Sequence, residues 1–175
     1  REPLRLACDA DPELWPALYY RSYGGAHFDA GWDDLVAGQS AGTRMPFAVM
    51  VDGTLVGMSS YIDIQRGNRA LEIGTTYYRP SARGGPVNPA AKRLLLDHAF
   101  ACGANRVAFK VDDRNGRSQA AMTKLGATRE GLLRHDMITW TGHVRSSVVF
   151  SILAEDWPEI RARLDERLAA FGVSS

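Results

Sequence analysis

The sequence predicts an α+β (mixed α/β) domain: a central, mostly antiparallel twisted sheet flanked by helices. Three features carry that expectation. Two apolar runs, "FAVMV" and "LVGMSSYIDI", flank Asp52–Gly53, a pair that tolerates positive φ and therefore joins antiparallel strands. Asn88 and Pro89 supply a cap and a first-turn proline ahead of Ala91, Leu94, Leu95, His98 and Ala99, which recur at helical spacing as an inward face. Near the end of the chain, "REGLLRHDMI" and "HVRSSVVFSI" read as two more strands, the second with a β-branched run.

The remaining elements follow in order. "LRLA" at Leu4 reads as a short first strand. Asp11, Pro12 and Glu13 start a helix through Leu14, Trp15 and Leu18, and a second helix covers Trp32–Gln39. The connection between them, "YYRSYGGAHFDAGW", is aromatic and rich in glycine. A third strand runs from Leu71 to Tyr78, and Arg106–Asp112 is a strand of the buried type. "NGRSQAAMTKLG" is a short helix closed by Gly126, while Ile160, Leu164, Leu168 and Phe171 form one stripe of a terminal helix. No repeat, low-complexity tract or long linker divides the chain, so residues 1–175 are expected to form a single domain.

Composition narrows the function classes. The chain is 45% hydrophobic and 23% charged, which suits a globular body with a sizeable core. Its 21 basic and 20 acidic side chains nearly cancel, giving no field that would favour nucleic acid or an anionic membrane as partner. Cys8 and Cys102 are far apart and fit free thiols in a reducing compartment. No apolar stretch reaches the ~18 residues that span a bilayer, so a cytoplasmic protein is expected. The chain opens on Arg1 rather than Met, as a shortened N-terminus would.

The loop "RGGPVN", Arg83–Asn88, lies between the third strand and the following helix. Such a junction gathers free backbone N–H groups at the positive end of a helix dipole, glycines let the backbone approach an anion closely, and Arg83 can add a charged donor. A plain strand-to-helix connection has the same composition. The loop lacks the Lys-Ser/Thr ending of a nucleotide P-loop and the G-x-G-x-x-G dinucleotide pattern. His27, His98, His135 and His143 show no metal-ligand spacing, so no metal is expected. Lys92, Arg93 and Lys124 read as solvated helix charges.

"EIGTTYYRPSARGGPVNPAAKRLLLDHAF", "FKVDDRNGRSQAAMTKLGATREGLLRHDM" and "VVFSILAEDWP" occur in an order that strongly resembles the GNAT N-acetyltransferases, specifically their RimJ/RimL-like branch. The likeness runs from Leu71 to the last helix and fades before Phe47. It implies a GNAT-like acyl-CoA N-acyltransferase fold with acetyl-CoA as the acyl carrier. It further implies that Arg83, Gly84, Gly85, Val87 and Asn88 wrap the pyrophosphate and that the backbone of Thr76, Tyr77 and Tyr78 pairs with the pantetheine. Asn115 matches a residue that bonds the pantetheine arm, although an asparagine there is also a good helix cap. The family's proton-donating tyrosine aligns with Met122, which has no proton to give. The branch implies a serine near the sulfur instead, and Ser118 holds that position.

The resemblance also implies direct transfer of acetyl to a primary amine in a ternary complex, the acceptor being a protein N-terminus or a small molecule. Glu72, in an apolar strand, is the candidate base, and Tyr23, His27, Phe28, Trp32 and His135 are the candidate acceptor-side residues. Aromatic core packing accounts equally well for some of these. The missing tyrosine keeps open a rival reading, a catalytically inactive CoA-binding module used for sensing or interaction. The branch is often dimeric, so a homodimer is also possible.

Overall fold

The computed structural model describes residues 1–172. In chain order the elements are α1 (Glu2–Asp9), α2 (Leu14–Leu18), α3 (Phe28–Ser40), β1 (Arg44–Val51), β2 (Thr54–Gln65), β3 (Ala70–Tyr78), α4 (Val87–Ala101), β4 (Arg106–Asp112), α5 (Gly116–Leu125), β5 (Thr128–Ile138), β6 (Val144–Leu153) and α6 (Trp157–Ala169). The six strands lie in the order β1-β2-β3-β4-β6-β5, antiparallel everywhere except between β3 and β4.

Two large apolar clusters flank the sheet, beside a small third one of Val56, Tyr78, Ala82 and Ala91. The larger holds Leu95, Leu96, Val107, Phe109, Phe150, Ile152, Trp157, Ile160 and Leu164, so α4, α5 and α6 pack over β4 and β6. The second holds Leu4, Cys8, Trp15, Tyr23, Phe28 and Leu35 of the N-terminal helices and their connections against Met58 and Tyr77. Ile73 and Tyr77 are four residues apart and would share one face of a regular strand, yet they lie in different clusters. The cause is a bulge: pairing with β2 steps from Tyr77 opposite Met58 to Gly74 opposite Ser60, and Thr75 takes φ +51°.

Several local expectations change. The segment around Leu4 is helical, because Leu4, Ala7 and Cys8 are buried at i, i+3 and i+4 whereas Leu6 is two-thirds exposed. α2 begins only at Leu14, and the Asp11 carboxylate, free of a capping role, pairs with Arg83. α4 starts one residue before Asn88, with Pro86 already in helical conformation and its carbonyl accepting from Ala90 N–H; Asn88 therefore sits inside the first turn and does not cap. The buried face of α4 is Pro89, Ala91, Lys92, Leu95, Leu96 and Ala99, so Ala91, Leu95 and Ala99 face inward as expected whereas Leu94 and His98 are exposed. Phe171 follows the end of α6 and is half exposed. The expected strand Arg106–Asp112 and the Gly126 stop, at φ +94°, are as the local sequence indicates.

Candidate functional site

The parallel pairing of β3 and β4 is brief. It joins Ala70, Leu71 and Glu72 to Arg106, Val107 and Ala108 and then stops. β3 goes on pairing with β2 as far as Tyr78, and β4 goes on pairing with β6 as far as Asp112. A gap therefore opens between Ile73–Tyr78 and Phe109–Asp112, with Glu72 at its closed end and the loop before α4 at its mouth.

At the mouth, Gly84 needs its lack of a side chain: φ is +80°, and a Cβ built there or on Gly85 would meet nothing within 4 Å, so the loop faces open space. Among the described residues the N–H groups of Gly84, Gly85, Val87 and Asn88 have no backbone acceptor. Arg83 donates from Nε to the Tyr78 carbonyl at 2.7 Å and from Nη1 to Asp11 Oδ2 at 2.5 Å, while its Nη2 is buried without a partner, as is Arg79 Nε. Of the β3 edge, the Thr76 carbonyl accepts from Tyr19 Oη at 2.7 Å. Two carbonyls along the gap are thus already satisfied by the chain's own side chains. The side chains of Tyr77 and Tyr78 are buried, Tyr77 donating to the Ala7 carbonyl.

At the closed end, Glu72 is buried, and no hydrogen-bond or ion-pair partner reaches it among the described residues. A Cβ on Gly74 would stand 3.1 Å from Glu72 Oε1, so the carboxyl lies along the strand toward the bulge. Burial pushes its pKa up to about 7, against the pull of Lys110 and Arg145. Its carboxyl opens on a groove of about 570 Å³ that Asp63, Lys110, Glu130, Leu133 and Val149 also line. This is the sheet face that α4–α6 leave uncovered. A carboxyl held half-ionised near neutrality, with free lone pairs and access to a groove, is equipped to accept a proton.

On the other side of the gap, Asn115 Oδ1 accepts from Ser118 N–H at 3.0 Å and caps α5. Ser118 is half-buried in the first turn, and Met122 is buried one turn later. The acceptor-side residues divide. Tyr23 and Phe28 are 1% and 0% exposed, interior parts of the second cluster and not an open wall, because the glycine-rich connection folds inward on Trp15. Trp32 is partly buried and stacks on Phe28, whereas His27 is exposed and lies 4.6 Å from the ring of Trp140. His135 is exposed on a second bulge at φ +50°, its N–H donating to Ser146 Oγ.

Sequence reasoning missed two residues. Trp140, in the β5–β6 turn, donates from its backbone N–H to the Tyr20 carbonyl at 3.1 Å and from Nε1 to the Trp15 carbonyl at 3.4 Å, so that turn is fastened to the α2–α3 connection. A tryptophan between threonines in a short turn was the available signal. Lys92 is no solvated charge: it is 4% exposed and donates to Thr76 Oγ1 at 2.9 Å. Arg93 is tied to Asp97 and Asp165. Among the described residues no group of His, Cys, Asp and Glu could hold a metal ion, and no helix is long and apolar enough to cross a membrane.

Comparison with known proteins places this geometry. Residues 2–128 match the model of the acetyltransferase (GNAT) domain. The chain is 32% identical over 110 residues to the Bacillus subtilis (strain 168) protein named "Putative ribosomal N-acetyltransferase YdaF", an alignment covering 62% of this chain and 59% of that relative's length. A solved structure described as a "putative acetyltransferase", from T. thermophilus, is similar at 36% identity and a TM-score of 0.84, over 94% of this chain and 87% of that one. Mycobacterium smegmatis RimJ, solved in complex with CoA-disulfide, is similar at 25% identity and a TM-score of 0.80, over 95% and 83% of the two chains. The chain belongs to the GNAT acetyltransferase family, in its RimJ/RimL-like branch.

Proposed function

We propose that this chain transfers an acetyl group from acetyl-CoA to a primary amine by direct attack within a ternary complex. The observation that carries the reading is the position of Glu72, an unpaired buried carboxyl at the closed end of the β3–β4 gap and open to the groove. The donor set fits a diphosphate-bearing carrier. The orphaned Arg83 Nη2 and Arg79 Nε, with the free N–H groups of Gly84, Gly85, Val87 and Asn88, offer many donors and no carboxylate other than Asp11. Acetyl-CoA, when bound, supplies an activated acetyl thioester.

The chain's own residues do the rest. The loop and the α4 N-terminus hold the carrier's anionic end, and the edge of β3 from Thr76 to Tyr78 orients its arm, with Tyr19 and Arg83 releasing the Thr76 and Tyr78 carbonyls where the arm needs them. Asn115 and Ser118 border the arm from α5. Glu72 takes the proton that the amine loses, directly or through a water in the groove. An α-amine with pKa ~7.7–8.0 is roughly a tenth neutral at pH 7, against under a thousandth for a lysine side chain near ~10.4. A base of pKa about 7 therefore suits an α-amine best. The ribosomal N-acetyltransferase name of the Bacillus relative leans the same way, toward a protein N-terminus, with small amines as the other acceptor class.

The test is release of free thiol from acetyl-CoA across peptide N-termini and small amines. Turnover with at least one amine, strongly reduced in Glu72→Gln while calorimetric CoA binding persists, is the expected result. Tight CoA binding with no release for any amine would instead make the chain an inactive CoA-binding module.

A further inference from the structure

Lys92 lies where a solvated helix charge was expected, yet it is sealed inside the protein. Its Nζ reaches across the gap: it donates to Thr76 Oγ1 of β3 at 2.9 Å and stands 5.6 Å from the ring centroid of Phe109 on β4, beyond the point where the two strands have ceased to pair. Thr76 Oγ1 is in turn 2.8 Å from Ser59 Oγ. An ammonium has three N–H donors, and among the described residues Lys92 has this one hydrogen-bond partner and no carboxylate at ion-pair distance. A buried cation so incompletely satisfied is costly, and the cost is removed when an acceptor atom joins it.

Lys92 also lines, with Asn88, Met122, Leu125 and Arg167, a cavity of about 20 Å³, room for a single water-sized group. The surroundings contain few charges. β3 contributes the Glu72 carboxylate, whose field favours the ammonium, and α6 contributes Arg167; the packed residues of α5 and β4, Met122, Leu125 and Phe109, carry none. Burial draws the Lys92 pKa down to about 7, so the group can both hold and give up a proton near neutrality.

We propose that Lys92 is the acid of the reaction: its ammonium, held across the β3–β4 gap, faces the carrier's sulfur and takes up the charge that sulfur acquires as the acyl group leaves. This rests on the acetyl-transfer reading above. As the amine nitrogen bonds to the acetyl carbon and the C–S bond breaks with its electron pair on sulfur, Lys92 Nζ gives one proton to sulfur. Glu72 accepts the proton that the new amide nitrogen sheds. The products are a free thiol and an amide, and the two side chains return to their starting ionisation by passing that proton back through solvent. The assignment also accounts for a buried methionine, unable to donate, lining the same cavity.

The readout independent of turnover is the thiol titration of bound CoA, followed by ultraviolet thiolate absorbance. A free thiol titrates near ~8.5. In the parent the bound thiol is expected at least one unit lower, and in Lys92→Met it should return to about its free value while calorimetric CoA affinity changes less than ~3-fold. The same variant should lose about 100-fold in kcat with little change in KM, as loss of a general acid does. Lys92→Arg, a permanent cation of similar length, should keep the lowered thiol titration and still turn over more slowly than the parent, because guanidinium does not release its proton. Should Lys92→Met fold poorly, Lys92→Arg alone decides, since full parental kcat in that variant would overturn proton donation. An unchanged thiol titration and unchanged kcat in Lys92→Met would overturn the assignment of Lys92 while leaving acetyl transfer standing. Absence of CoA binding by the parent itself would overturn the underlying reading instead.

Discussion

The two sides of the β3–β4 gap are built differently although β3 contributes to both, Glu72 to one and Thr76, the partner of Lys92, to the other. On the open side, Glu72 faces a groove of about 570 Å³ and has solvent and Lys110 within its field; on the helical side, Lys92 is enclosed by α4, Phe109 and Met122, with a cavity of about 20 Å³ beside it. Each charge is buried and each lacks an ion-pair partner, a condition that proteins rarely tolerate without a use for it. The Thr75 bulge makes the arrangement possible. It re-aims the strand so that Thr76 meets Lys92 beneath the sheet, while Glu72 stays on the other face. The difference teaches that a strand bulge can leave one buried charge facing an open groove and another enclosed with a single hydrogen-bond partner.

The largest effect expected on this contrast comes from Glu72→Gln. Thiol release should fall at least ~100-fold with CoA affinity unchanged, because the amide keeps the shape but cannot take a proton. Parental kcat in this variant would remove Glu72 from the chemistry.

Stability against pH probes both charges. Glu72 titrates higher in the folded than in the unfolded chain, so the folded state binds more protons between about pH 4.5 and 7, and stability declines across that window by about 3 kcal/mol. Lys92 titrates lower when folded, so the unfolded state binds more protons between about pH 7 and 10.5, and stability rises there. Relative to Glu72→Gln and Lys92→Met, the parent should show a dip in Tm around pH 7, with each variant flattening its own limb. Parallel curves would contradict the burial of these charges.

At the mouth of the gap, Arg83→Ala should weaken CoA binding by about tenfold, the value of one charged hydrogen bond, without altering kcat at saturation. The smallest effect belongs to Asn115→Ala: loss of the α5 cap should cost about 1 kcal/mol, and a Tm loss alone, with CoA affinity intact, would leave Asn115 a cap and nothing more.

Legibility followed the range of the interactions involved. Arg106–Asp112 and the Gly126 stop depend on nearest neighbours and could be read directly. "LRLA" could not, since its two-residue alternation mimics a strand and only the burial of Ala7 and Cys8 under Trp15 and Tyr77 settles the period. Leu94, Leu95 and Leu96 are consecutive, and which of them faces inward is fixed by where α6 and the sheet lie. Glu72 stood out as a carboxylate in an apolar run. Lys92 did not, because its burial depends on Thr76, sixteen residues upstream, and on Phe109 of β4, and a lysine beside Arg93 on a helix looks like any surface charge. The aromatic connection misled in the other direction: Tyr23 and Phe28 looked like pocket walls and are core.

The gap itself is most directly tested by a crystal structure of the chain with CoA. The account expects the pyrophosphate against Gly84–Asn88, the pantetheine between Thr76–Tyr78 and Phe109–Asp112, and the sulfur within hydrogen-bonding reach of Lys92 Nζ. CoA bound in the groove beside Leu133 and Val149, or excluded from a gap still closed by Tyr19 and Arg83, would contradict it.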